Sequence, residues 1–123
     1  MVVDSTVFIE HLRAKDRTKT VLANLPANSL LYVSAVTVFE LFCGATDPGK
    51  HQDVQKVLKN VLILPMNSAV GEKAGEIFRD LRSKGLMIEA TDIFIAATAL
   101  INGLPVKTLN IRHFSRVQGL TLI

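Results

Sequence analysis

The chain has one cysteine and no long hydrophobic run, and each of these shortages excludes a class of protein. Cys43 has no partner for an internal disulfide, and we expect its thiol to lie in the core because free cysteine is usually buried. The longest apolar stretch, residues 93–101, is about half the length of a membrane-spanning helix. The N-terminus lacks the basic segment and apolar core of a secretory signal. These features predict a cytoplasmic protein with no membrane segment.

Apolar residues, by contrast, are abundant. They make up 49% of the 123 residues, and the formal net charge is +3. The length has room for one domain, which we assign to residues 1–123. So many apolar residues in a small chain predict an unusually complete core, apolar surface that meets a partner, or both. The positive charge favours a polyanionic partner only weakly.

Short apolar runs alternate with helical patterns along the chain. We predict strands at residues 1–3, 30–33, 61–64 and 106–109, with a candidate fifth at 120–123. We predict a first helix that is capped by Ser5 or Thr6 and runs to about residue 13, and further helices at residues 18–25, 35–43, 49–60, 68–84 and 91–102. Because the strand segments are continuous apolar runs, we expect them to be buried on both faces, with helices crossing between parallel strands. The expected fold is a three-layer α/β/α domain with a central, mostly parallel sheet of four to five strands.

Three of the eleven acidic residues lie in apolar surroundings that a solvated helix face does not explain. Asp4 follows the first strand, Glu40 lies within an apolar helix, and Asp92 opens another. A desolvated carboxylate costs several kcal/mol unless a basic group, a helix N-terminus or a metal ion compensates it. Asp4 and Asp92 have an alternative role as helix-terminal residues, and Glu40 as the partner of a buried Arg or Lys.

The predicted topology brings these carboxylates towards one edge of the sheet. Ligands of open parallel sheets bind beyond the carboxyl ends of the strands, where Asp4 and Asn110 end the first and fourth strands. Carboxylates gathered there would repel one another unless a divalent cation lay between them, and oxygen ligands suit Mg²⁺ or Mn²⁺. The three histidines show no zinc-ligand spacing. Asn110 alone is most often a turn residue, so spacing by itself leaves the function open.

Four segments, in order, resemble the motifs of the PIN-domain family. They are residues 2–9 with Asp4, 34–45 with Glu40, 91–100 followed by 103–105 with Asp92, and 108–114 with Asn110, and they span essentially the whole chain. The resemblance implies a PIN fold and a site for Mg²⁺ or Mn²⁺ built from Asp4, Glu40 and Asp92. It also implies hydrolysis of RNA phosphodiesters, as in the VapC toxins of toxin–antitoxin pairs.

The same resemblance implies supporting residues and partners. Thr108 and Asn110 would position the water or the substrate, and Ser5 would support a metal-bound water or Asp4. Family members form homodimers, and the toxins are inhibited by a VapB-like antitoxin whose C-terminal segment lies across an apolar groove. Candidates for such apolar surface, each equally suited to the core, are Phe8, Leu12, Phe39 and Phe42.

His113 departs from the family pattern, because many toxin-type relatives carry an acidic residue at this position. It cannot act as a carboxylate ligand, so a second cation would be held more weakly, and we interpret it as a neutral surface residue in preference to a phosphate contact. Two alternatives stay open: a catalytically inactive PIN-like RNA-binding or interaction module, and an RNA-processing nuclease that is not a toxin. A receiver-like phosphoacceptor fold is excluded because no Asp ends the third strand.

Overall fold

The protein forms a parallel sheet with helices on both faces, in a computed structural model that describes all 123 residues. The strands are β1 (Val2–Val3), β2 (Tyr32–Ser34), β3 (Leu62–Leu64) and β4 (Val106–Lys107). Their order is β3-β2-β1-β4, and each neighbouring pair is parallel. Residues 120–123 add only an isolated bridge between Val106 and Leu122, so the sheet has four strands.

The helices are α1 (Ser5–Arg13), α2 (Ala35–Cys43), α3 (Pro48–Leu58), α4 (Ser68–Lys84), α5 (Ala90–Ile101) and α6 (Ile111–Phe114). Polar side chains begin several of them: Ser34 Oγ accepts a hydrogen bond from the Val36 amide, and Asn67 Oδ1 accepts one from the Val70 amide, both at 3.1 Å. Gly85, in the left-handed conformation at φ 65°, ends α4. None of these helices has the length and apolar content needed to cross a lipid bilayer.

The two residues of β1 each begin a separate half of the core. Val2 packs with residues of α4 and α5, and Val3 packs with residues of α1, α2 and α3. Successive strand residues point to opposite faces of a sheet, so the central strand is buried on both sides. This arrangement confirms the predicted α/β/α layering around a parallel sheet.

Three local predictions are wrong. The predicted helix at residues 18–25 is a pair of short 3₁₀ turns, Arg17–Lys19 and Leu22–Asn24, because Asp16 accepts hydrogen bonds from the backbone and hydroxyl of Thr18. Cys43 is exposed, because two positions separate it from the buried Leu41 and place it on the opposite side of α2. β3 is an edge strand with Ile63 56% exposed, not a strand buried on both faces.

Candidate active site

Three acidic side chains from different elements lie around the carboxyl ends of β1 and β4, each hydrogen-bonded to a residue that closely follows one of these strands in the sequence. Asp4 directly follows β1, Glu40 lies in the second half of α2, and Asp92 is in the first turn of α5. The negative charges of Asp4 and Glu40 both act on Asp92. The three acidic residues therefore lie in one region of the fold, but as the side chains stand they are not close enough together to hold one ion.

Hydroxyl groups hold Asp4, which is only 1% exposed. Its Oδ2 accepts hydrogen bonds from Thr6 Oγ1 at 2.7 Å and from Thr108 Oγ1 at 2.8 Å. Although Asp4 occupies the N-cap position of α1, its side chain makes no capping hydrogen bond. The helix-cap role therefore does not explain why this carboxylate is buried.

The two threonines are themselves fixed by the loop after β4. Thr6 Oγ1 accepts a hydrogen bond from the Leu109 amide at 3.1 Å, and Thr108 Oγ1 accepts one from the Asn110 amide at 2.9 Å. Each hydroxyl, with its acceptor role occupied by the backbone, points its proton at Asp4. This network joins the chain after β1 to the chain after β4.

Ser5 holds Glu40 rather than Asp4. Ser5 Oγ donates a hydrogen bond to Glu40 Oε1 at 2.6 Å and lies 3.1 Å from Thr37 Oγ1. Glu40 forms no ion pair with any Arg or Lys, so the buried ion pair that would explain it structurally is absent. A serine hydroxyl is its one close partner, which leaves its negative charge uncompensated.

Asp92 contacts two polar side chains from the segment that follows β4. Its Oδ2 lies 3.5 Å from Asn110 Nδ2 and 3.6 Å from His113 Nδ1, and the two partners are 2.8 Å apart. Burial above all, and then the charge of Asp4, raise the pKa of Asp92 from its ordinary 3.8 to about 6, against the opposing effect of His113. The site thus disfavours three ionised carboxylates at once.

Comparisons with known proteins identify the family. Residues 1–120 match the family model described as PIN domain. The chain belongs to the PIN-domain family. Ribonuclease VapC10 of Mycobacterium tuberculosis is 30% identical over 98% of this chain and 90% of that protein. Plasmid stability protein StbB of Pseudomonas syringae is 33% identical over 100% of this chain and 96% of that protein.

A solved structure supports the same assignment for this PIN domain. The DNA-bound VapBC complex from Salmonella typhimurium has a chain that is 25% identical and matches with a TM-score of 0.85, covering 99% of this chain and 95% of that chain. The family and fold implied by the resemblance are therefore confirmed, and the chain is a PIN domain of the VapC group.

PIN-domain ribonucleases generally depend on a divalent metal ion, and the donor set of this PIN domain suits one. Asp4 Oδ1, Glu40 Oε2 and Asp92 Oδ1 each lack a hydrogen-bond partner. These oxygens reach solvent, since no buried side-chain oxygen in the chain is left without a partner. Hard oxygen ligands of this kind fit Mg²⁺ or Mn²⁺. As the side chains stand, however, no three acidic, His or Cys residues lie close enough together to hold one ion.

Three residues near the PIN-domain site have roles that the sequence reasoning missed. Thr6 and Thr37 carry hydroxyls that contact the acidic network, and His113 lies against Asp92 instead of standing free on the surface. The position of Thr6, two residues after Asp4, was the one available signal. Nothing in the spacing of Thr37 or His113 indicated where their side chains would point.

Proposed function

We propose that this chain is an endoribonuclease that depends on Mg²⁺ or Mn²⁺ and acts in the cytoplasm as the toxin of a VapBC-type toxin–antitoxin pair. The observation that carries the proposal is the set of three carboxylates, Asp4, Glu40 and Asp92, around the carboxyl ends of the strands, each with one oxygen that has no hydrogen-bond partner. Similarity over 98% of the chain to a protein named as a VapC ribonuclease supports the reaction. We assign the whole chain, residues 1–123, to one PIN domain.

Asp4, Glu40 and Asp92 would hold the cation in this proposal. When bound, a divalent cation neutralises charge on a phosphate and lowers the pKa of a water molecule, which favours attack on the phosphodiester. Ligation by all three carboxylates requires Glu40 or Asp92 to rotate inward from the positions described above. Asp4 is already held in place by two hydroxyls, so we assign it the fixed end of the site.

The supporting residues position carboxylates in this proposal. Thr108 orients Asp4, and Asn110 orients Asp92, in place of the water-positioning roles that the resemblance implies. Ser5 orients Glu40. Each of these hydrogen bonds joins segments at least 18 residues apart in sequence. Each therefore depends on the folded chain and is present before RNA binds.

A groove beside Glu40 suits the proposed antitoxin. It has a volume of about 280 Å³ and is lined by Ile9, Leu12, Arg13, Glu40, Leu41, Gly44, Ala45, Lys50, Asp53 and Val54. Its apolar and charged lining matches a peptide that carries both kinds of side chain. Among the candidates for this surface, Leu12 lines the groove, whereas Phe8 is fully buried in the core.

We also propose a homodimer, in keeping with the resemblance to the family. Phe39 is 64% exposed, and it lines a contiguous apolar groove with Met66 and Phe94, the kind of surface that marks protein interfaces. Sedimentation equilibrium of the purified chain tests this proposal, and a monomer at micromolar concentration contradicts it.

RNA cleavage by the purified, antitoxin-free chain tests the enzyme function. Wild-type protein with Mg²⁺ or Mn²⁺ should cleave single-stranded RNA, and chelation of the metal should stop cleavage. Asp4→Asn and Asp92→Asn should each lower kcat by at least about a hundredfold, as expected when a group that stabilises charge in the transition state is lost. Asp80→Asn is the matched control, because Asp80 pairs with Lys84 on α4 and is not part of the pocket.

Failure of this experiment has a definite meaning. If no RNA is cleaved and Mn²⁺ does not stabilise the protein against unfolding, the chain is an inactive PIN-like interaction module. If RNA is cleaved but expression in a bacterial host does not arrest growth, the nuclease is not a toxin and its role is RNA processing.

A further inference from the structure

The two ring nitrogens of His113 have different surroundings. Nδ1 faces the site, 2.8 Å from Asn110 Nδ2 and 3.6 Å from Asp92 Oδ2. Nε2 makes no hydrogen bond, and it reaches solvent because no buried side-chain nitrogen in the chain lacks a partner. The side chain is 38% exposed, compared with 14% for Asp92. The ring is therefore anchored on its inner side and open on its outer side.

The contacts of Nδ1 determine which nitrogen carries the proton. Asn110 Nδ2 lies 2.8 Å from His113 Nδ1, closer than Asp92 Oδ2 at 3.6 Å. An amide nitrogen only donates, so in the neutral ring Nδ1 accepts from Asn110, and the contact of Nδ1 with Asp92 belongs to the charged ring. A neutral ring whose Nδ1 accepts a hydrogen bond carries its proton on Nε2, and a charged ring carries protons on both nitrogens. Nε2 is therefore a hydrogen-bond donor in either charge state.

The other side-chain donors at the site are already committed. Ser5 donates to Glu40, Thr6 and Thr108 donate to Asp4, and Asn110 faces Asp92. No Lys or Arg forms an ion pair with any of the three carboxylates. Among the side chains that touch these carboxylates, His113 is the one with a donor nitrogen that has no hydrogen-bond partner.

We propose that His113 Nε2 donates a hydrogen bond to a non-bridging phosphate oxygen of RNA bound at the Asp4, Glu40 and Asp92 site. The inference rests on the proposed ribonuclease function. It replaces the interpretation of His113 as a neutral surface residue, and it gives an approaching phosphate a donor at the edge of a pocket that is otherwise negative.

Two substitutions separate the contact of Nδ1 with Asn110 and Asp92 from the proposed contact of Nε2 with the phosphate. His113→Asn keeps a polar group near the position of Nδ1 and has no atom at Nε2. His113→Gln places its amide nitrogen near Nε2 and gives up the Nδ1 contact. His51→Asn makes the same chemical change at an exposed histidine of α3 and serves as the matched control.

The probe is a short, fluorescein-labelled single-stranded RNA of random sequence, cleaved in Mn²⁺. His113→Asn should lower kcat/KM by about ten- to a hundredfold, the loss expected for one hydrogen bond to a charged group. His113→Gln should recover most of this loss, and His51→Asn should match the wild type. Calorimetry of the RNA-free protein should give the same Mn²⁺ affinity for His113→Asn as for the wild type.

Three results overturn the proposal. If His113→Asn cleaves RNA as well as the wild type, His113 makes no hydrogen bond to the phosphate. A loss of Mn²⁺ affinity that accounts for the lost activity means that the ring acts only by positioning Asp92. A wild-type chain that binds Mn²⁺ but cleaves no RNA refutes the ribonuclease function itself, and this outcome is distinguished from the others because the unmodified protein is inactive.

Discussion

Replacing Asp92 with asparagine should stabilise the metal-free protein at neutral pH while abolishing its activity. Burial and the charge of Asp4 raise the pKa of Asp92 from 3.8 to about 6. Because the folded-state pKa is the higher one, the folded chain binds this proton more tightly than the unfolded chain. The stability that results is fully present below about pH 3.8 and is lost as the pH rises through about 6.

The size of the effect follows from the pKa of Asp92. One pKa unit corresponds to about 1.4 kcal/mol, so at pH 8 the ionised carboxylate destabilises the folded state by about 3 kcal/mol. At pH 4.5 the same reasoning gives about 1 kcal/mol. An asparagine side chain has nearly the same size as aspartate and no charge, so the stability advantage of Asp92→Asn over the wild type should grow by about 2 kcal/mol between these pH values.

Urea unfolding in EDTA at pH 4.5 and pH 8, followed by circular dichroism, measures this difference. Asp80→Asn on α4 should show no comparable increase with pH. Addition of Mn²⁺ at pH 8 should stabilise the wild type and leave Asp92→Asn nearly unchanged, because only the wild type gains binding energy. A stability difference between Asp92→Asn and the wild type that is the same at both pH values would refute the reasoning.

Two further predictions concern stability. Thr108→Val should destabilise the protein by about 1.5–3 kcal/mol in urea unfolding, because the hydroxyl that donates to buried Asp4 at 2.8 Å is lost at nearly constant volume; a change below about 0.5 kcal/mol contradicts the role given to it. Gly85→Ala should lower the free energy of unfolding by about 1 kcal/mol because φ is 65° there. Gly71→Ala, in the interior of the same helix with open space around it, should raise that free energy by a few tenths to about 1 kcal/mol. Equal thermal shifts for the two alanine variants would contradict this explanation.

The sequence predicted helices best where capping residues and hydrophobic period agree. The predicted α4, residues 68–84, has the bounds of the observed helix, with Asn67 before it and Gly85 after it. The helix predicted over residues 18–25 failed because hydroxyl and carboxylate side chains compete locally for the backbone there. The exposure of β3 was beyond reach, because an apolar run does not reveal whether its strand lies at the edge of the sheet or at the centre.

At the site, the sequence identified charged residues better than the residues that hold them. Asp4, Glu40 and Asp92 stood out because carboxylates in apolar surroundings are costly, and in the structure the charges of Asp4 and Glu40 both act on Asp92. The partners of the carboxylates depend on side-chain direction in the folded sheet. Ser5 therefore pairs with Glu40, 35 residues away, a contact that no local pattern encodes.

The place of β4 beside β1 has a consequence during protein synthesis. Asp4 is synthesised 104 residues before Thr108, whose hydroxyl donates to it. A growing chain therefore carries Asp4 with Thr6, but without Thr108 and without the strand that completes its surroundings. A nuclease built in this way has an incomplete site on the ribosome, and it becomes able to cut RNA only after β4 and Thr108 have been made.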